Sequence, residues 1–176
     1  MLNTNGKRLI MKNPVNTARI NNILKLYPNA KILYIYRNPI TVFLSTERFF
    51  KSLFPSLQLQ DVDDEFIDKM IFDVYQKLMD DYLAQKSLIP EGNLFELRFE
   101  DFELYPLEKL QQIYDSLLCE DFSKVKNYFV KYFESQKSYK KNRYKIKREK
   151  IDLIRTRFAK YMELYDYDIP ADIDII

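Results

Sequence analysis

The sequence predicts an α/β fold, a parallel sheet with flanking helices and a helical C-terminal part. Short apolar runs at Arg8–Met11, Ile32–Tyr36 and Leu94–Phe99 read as strands, and the middle one is unbroken, as burial on both faces requires. Each run is followed by a segment of helical periodicity, and strands alternating with helices build parallel sheets. A chain of 176 residues, 47% hydrophobic and 31% charged, suffices for one sizeable core but not for two domains. Residues 1–176 are therefore read as one domain.

The elements follow in order. Leu9-Ile10-Met11 ends at Lys12-Asn13-Pro14. Asn16-Thr17 can cap a helix with Ile20, Ile23, Leu24 and Tyr27 on its apolar face, ended by Pro28-Asn29. The strand Ile32–Tyr36 comes next, so the first two strands and their helix form a right-handed βαβ unit. Asn38-Pro39 then opens a helix, with Asn as cap and Pro in the first turn, that carries Ser45 and halts at Pro55. The longest helix, Asp64 to Lys86, shows a broad apolar stripe from Phe66/Ile67 to Tyr82/Leu83, with its acids on the solvated side. Pro90–Asn93 is a turn before the third strand.

Pro106 starts a helix with Leu107, Leu110, Ile113, Tyr114, Leu117 and Leu118 on one face. A further helix from about Ser123 is expected to bury Val125, Tyr128, Phe129, Tyr132 and Phe133, and a last one Ile151, Ile154, Phe158, Tyr161, Met162 and Tyr165. Between them residues 137–150, with eight Lys and Arg, read as a basic loop or lid. Ala171–Ile176 is expected to fray. Three strands are few, and the chain opens on one of them. A sheet edge is thus expected to lack a partner, with polypeptide missing upstream.

Composition excludes several chemistries. Two glycines, Gly6 and Gly92, cannot write GxxxxGK or GxGxxG. With no histidine, the usual general base and the commonest metal ligand are both gone. Cys119 alone makes neither an internal disulfide nor a thiolate zinc site, so no metal is expected and a reduced, cytoplasmic setting fits. No apolar run reaches the ~18 residues of a membrane span. The net charge of +2 conceals a contrast between acidic residues 61–81 and the basic segment.

The stretch from Lys31 to Ser45 carries the functional reading. Arg37 closes a strand, Asn38-Pro39 turns the chain, and Ser45 lies on the helix that follows. A guanidinium offers a planar fork to phosphate, and a helix start adds unpaired N–H groups. On spacing alone Arg37 is either such an anion ligand or a solvated arginine at a strand end.

Four stretches together resemble the sulfotransferase family. Leu9-Ile-Met-Lys-Asn-Pro-Val-Asn-Thr-Ala-Arg-Ile20 is similar to a segment that often reads Lys-x-Pro-x-His. Tyr27-Pro-Asn-Ala-Lys-Ile-Leu-Tyr-Ile-Tyr-Arg-Asn-Pro39, with Ser45 beyond, resembles the motif holding the 3′-phosphate of PAPS (3′-phosphoadenosine 5′-phosphosulfate). Leu97-Arg-Phe-Glu-Asp-Phe102 with Pro106 matches a strand usually read as Arg-Tyr-Glu-Asp-Leu, and Tyr139-Lys-Lys-Asn-Arg-Tyr144 a late basic segment.

The resemblance implies a P-loop-like fold, PAPS as sulfuryl donor and transfer to a hydroxyl or amine acceptor, whose identity is left open. It implies Arg37 and Ser45 as 3′-phosphate ligands, one of Lys140, Lys141 or Arg143 closing over the nucleotide, and Lys12 near the transferring sulfate. Two departures accompany it. The family's Gly/Ser/Thr phosphosulfate loop should precede Leu9, where eight residues form no such loop. Asn16 stands where many members carry a catalytic histidine, so no catalytic residue is assigned. The chain is accordingly read as the C-terminal part of such an enzyme, inactive alone, with an upstream chain as a partner that could supply the loop. The alternative is a non-catalytic nucleotide- or partner-binding module on the same scaffold. Nucleic-acid binding through the basic segment is disfavoured by the balancing acidic helix.

Overall fold

A computed structural model describes residues 8–138 and 142–176. A 3₁₀ turn, Pro14–Ala18, is capped by Asn13, whose side chain accepts from the Val15 N–H. Helix α1 (Ile20–Leu26) leads to strand β1 (Ile32–Tyr36), then to α2 (Pro39–Leu57) and α3 (Asp64–Gln85). Strand β2 (Leu94–Arg98) runs directly into α4 (Phe99–Leu104) and α5 (Pro106–Ile113), which ends in a π turn, Tyr114–Leu118. Helix α6 (Ser123–Ser135), strand β3 (Tyr144–Ile146), α7 (Arg148–Leu164) and strand β4 (Ile173–Ile175) complete the order.

β1 and β2 are parallel, in register Ile32 to Leu94 through Tyr36 to Arg98. The tight turn before β2 places Gly92 at φ +74, a conformation other residues seldom adopt, and Lys31 Nζ donates to its carbonyl at 3.2 Å. One face of the pair covers the main core, where Tyr34 meets Tyr82, Met79 and the residues of α2, α3 and α7. Phe43, Phe72 and Phe158 lock these three helices together. The other face carries a smaller core of Leu97, Ile113 and Leu117. Described helices include none long and apolar enough to cross a membrane.

Several expectations need correction. Arg8–Met11 is not a strand: no described strand pairs with it, and Ile10 is 87% exposed. A lone extended segment leaves its N–H and C=O groups to water, so nothing holds it in a ladder. The sheet around Arg37 therefore has two described strands instead of three, and the first βαβ unit does not form. Helix α2 continues through Pro55 to Leu57, and the proline, which has no N–H for the Lys51 carbonyl, stands only two residues before its end. The 171–176 tail is not frayed. β4 pairs parallel with β3, Tyr144 opposite Ile173, and Ile176 N–H donates to Ile146 O at 3.0 Å.

Helix α6 buries no residue fully, and Tyr128 and Tyr132 are exposed. Nor are the acids of α3 merely solvated. Asp73 and Asp80 meet Arg157 and Lys160 of α7, and Asp68 meets Lys150. The basic segment is thus divided: a turn at 136–138, strand β3, then the first turn of α7 from Arg148.

Candidate phosphate site at the end of strand β1

Asn38 determines the geometry of the β1–α2 turn. It is 6% exposed, and its Oδ1 accepts the Ile40 N–H at 3.0 Å as the α2 cap. Its Nδ2 donates to Asp168 O at 2.7 Å, while its backbone N–H donates to Glu100 Oε1 at 3.0 Å. Glu100 Oε2 accepts the Tyr167 hydroxyl at 2.7 Å, and the Arg98 guanidinium lies 4.3 Å from the Tyr167 ring centre. The turn is thus clamped between the start of α4 and the segment after α7.

That returning segment has its own local cause. Asp166 adopts φ 51, Tyr167 N–H donates to Met162 O at 2.8 Å, and Asp166 N–H to Glu163 O at 3.3 Å. This is the Schellman arrangement that ends a helix and folds the chain back over it.

Arg37 leaves this clamp on the C-terminal edge of the parallel strands, where open α/β sheets bind ligands. Its guanidinium stacks on Phe99, 4.5 Å from the ring centre, and makes no hydrogen bond or ion pair among the described residues. One and two turns into α2, Thr41 and Ser45 project from the same helical face. Arg37, Thr41 and Ser45 line a cleft of about 130 Å³ whose other walls are Phe99, Glu103, Asn142, Tyr144, Asp172 and Ile173. A planar cation held by a ring and open to a cleft with two hydroxyls fits a phosphate group. The donor set, oxygen and guanidinium without histidine or paired thiolates, fits no soft metal. Among the described residues no group of three or more potential ligands is placed to hold a metal ion.

The other sequence-predicted residues fare differently. Lys12 is exposed in the extended N-terminal segment and does not line the cleft. Arg143 is exposed between Asn142 and Tyr144, both of which do line it. Lys140 and Lys141 lie outside the described residues. Lys150, at the end of the basic segment, turns away, donating to Glu47 Oε1 at 2.7 Å and Asp68 Oδ1 at 3.0 Å. Sequence reasoning missed Thr41, whose signal was its position four residues before Ser45. It also missed Asp172 and Ile173, which carried no signal because their placement depends on β4 pairing with β3.

The titratable oxygens that line the cleft are the carboxylates of Glu103 and Asp172 and the hydroxyl of Tyr144, and no histidine stands beside them. Asn16 sits in the first 3₁₀ turn, where its carbonyl accepts the Arg19 N–H at 3.0 Å. The tyrosines beside the sheet are poor bases. Burial, followed by the Glu96 charge, pushes Tyr165 up to about 12, and burial drives Tyr34, Tyr82 and Tyr167 higher still. A larger open depression of about 510 Å³ along α7, between Asp152 and Asp168, contains none of the predicted site residues.

A P-loop-like α/β scaffold with an arginine–hydroxyl cleft at the strand edge defines a class, and the chain belongs to it: the sulfotransferase family, whose model matches residues 2–124. Omega-hydroxy-beta-dihydromenaquinone-9 sulfotransferase Stf3 of Mycobacterium tuberculosis is 28% identical over 162 residues, 92% of this chain. The protein of the same name from Mycobacterium bovis matches equally. The chain spans 42% of the length of these relatives. The crystal structure of sulfotransferase STF9 from Mycobacterium avium shares the fold, with a TM-score of 0.72 at 15% identity over 93% of this chain and 42% of that one.

Proposed function

We propose that this chain is the 3′-phosphate-binding half of a PAPS-dependent sulfotransferase that acts on a hydroxyl acceptor. The observation that carries the proposal is the convergence of Arg37, Thr41 and Ser45 on one cleft at the C-terminal edge of β1, with Arg37 making no ion pair among the described residues. In this reading PAPS, when bound, supplies the sulfuryl group and leaves as the bisphosphate. Arg37 takes the 3′-phosphate through its fork, and the Ser45 hydroxyl donates to the same group. Phe99 holds the guanidinium flat so that its fork is oriented before the anion arrives. A hydroxyl is preferred to an amine as acceptor because the relative Stf3 is named for an omega-hydroxy substrate.

The second reading is a nucleotide-binding module without catalysis. It draws on Asn16, an amide where the family resemblance puts a histidine. In-line transfer needs a base and a sulfate cradle as well as the nucleotide grip.

Calorimetric titration with adenosine 3′,5′-bisphosphate tests the site. The chain binds, and Arg37→Ala weakens binding by the ~1.5–3 kcal/mol of one charge-assisted contact, about 10- to 150-fold. Equal affinity of the two proteins removes the proposed phosphate site. In a PAPS turnover assay the chain alone transfers no sulfate, and turnover would show that a base and cradle lie among residues assigned here to structure.

A further inference from the structure

We infer that Asp172, delivered by the turn before β4, is a specificity residue of the Arg37 cleft. Its carboxylate accepts a hydrogen bond from a hydroxyl beside the bound phosphate, the 2′-hydroxyl of a ribonucleoside 3′-phosphate. The inference rests on the function proposed above and names the sugar that the site selects.

A cleft that held only a phosphate would be lined by cations and neutral donors. Here Arg37, Thr41 and Ser45 share the walls with two carboxylates, Glu103 from α4 and Asp172 from the chain entering β4. An ionised carboxylate only accepts hydrogen bonds, and it repels a phosphate beside it. Its presence suits a ligand that carries a donor next to its anion. Glu103 is already engaged. Asp172 makes no ion pair, and its side chain no hydrogen bond, among the described residues.

The backbone fixes where that carboxylate starts. Ile173 N–H donates to Pro170 O at 3.3 Å, closing a four-residue turn with Asp172 in its third position. Ile173 is buried and pairs with Tyr144, and both line the cleft. At the far end of β4, Ile176 N–H donates to Ile146 O at 3.0 Å, and Arg148 N–H to Ile176 O at 3.2 Å. Asp172 is therefore carried by a paired strand and not by a free tail.

A ribonucleoside 3′-phosphate matches this mixture of charges. Its phosphate and its 2′-hydroxyl sit on adjacent ring carbons, so a phosphate on Arg37 and Ser45 brings the hydroxyl into the same cleft of about 130 Å³. Proteins commonly read a ribose through a carboxylate that accepts from its hydroxyl. A 2′-deoxy sugar brings no donor, and the acid then faces the phosphate with nothing between them.

Calorimetric titration of the full chain with adenosine 3′,5′-bisphosphate and with 2′-deoxyadenosine 3′,5′-bisphosphate tests the inference. The ribonucleotide binds about tenfold more tightly, as loss of one hydrogen bond to a charged group requires. Asp172→Ala weakens ribonucleotide binding by about the same factor and leaves deoxynucleotide binding unchanged or tighter, so the ratio falls to near one. Asp172→Asn, whose amide oxygen still accepts, keeps part of the preference.

Equal affinity of the wild-type chain for the two nucleotides overturns the inference and leaves the phosphate site standing. In Asp172→Ala, a parallel loss for both ligands would make the residue structural, and a parallel gain would make it merely repulsive. Either result overturns the inference. Binding of neither bisphosphate by the wild-type chain removes the phosphate reading and this one with it, a result distinct from equal binding of both.

Discussion

Lys150 shows how a single residue changes meaning once its neighbours are known. It belongs to the basic run that invites an anion, yet its ammonium lies between Glu47 and Asp68 and above the Phe43 ring, 5.5 Å from the ring centre. Burial pushes the Glu47 carboxyl up, but hydrogen bonds from Lys150 and Lys51 outweigh it and hold the group below its ordinary range. The contribution is complete above the ordinary carboxylate value of about 4.3 and is lost as pH falls through the lower folded value. Lys150→Ala leaves two half-buried carboxylates short of a partner and should cost about 2 kcal/mol at neutral pH. Urea midpoints measured from pH 7 to pH 3 should show that cost shrinking as Glu47 takes up its proton. A constant difference across the series would remove the electrostatic explanation.

Among the elements, the end of α7 governs the site most directly. The Schellman turn after Leu164 sends Tyr167 to Glu100 and Asp168 to Asn38, and these hold the β1–α2 turn from behind Arg37. Asp166 carries this turn at φ 51, where glycine is the unstrained residue. Asp166→Gly should stabilise the fold by about 0.5–1 kcal/mol, the gain from relieved strain exceeding the added freedom of the unfolded chain. The check is the thermal midpoint, with a rise expected. A fall would mean that the Asp166 side chain contributes contacts that outweigh its backbone strain.

The molecule as a whole depends on three helices meeting behind the sheet. Phe158 is fully buried, and its ring lies against Phe43 of α2, Phe72 and Tyr75 of α3, and Tyr161 on α7 itself. Phe158→Ala removes contacts from all three helices at once and should cost ~3–5 kcal/mol. Chemical denaturation followed by near-UV dichroism measures it, because tyrosine and phenylalanine packing reports directly on this core. A loss below about 1 kcal/mol would show that α7 is held chiefly by its ion pairs to Asp68, Asp73 and Asp80.

Local chemistry is where the chain was most legible. Asn38-Pro39 announced a capped helix start, and the apolar runs at Ile32–Tyr36 and Leu94–Arg98 are strands. Each follows from steric and hydrogen-bonding preferences within a few residues, so no distant partner had to be known. The same local signals placed Arg37 at a strand end and Ser45 on the helix that follows, but spacing alone left the role of Arg37 open, and the phosphate reading came from the family resemblance.

Long-range pairing was decided elsewhere. Leu9–Met11 has the composition of a strand, but a strand exists only beside another, and none of the described strands takes it. The tail 171–176 looked expendable, yet parallel pairing with β3 orders it and brings Asp172 and Ile173 to the Arg37 cleft. The acids of α3 seemed to face water because helical periodicity tells which residues share a face and not what lies opposite. Partners 80 residues and more away, Arg157 and Lys160 on α7, supply that answer. Periodicity and capping are properties of short segments, whereas an edge, a clamp or an ion pair across helices comes into being only when distant segments pack.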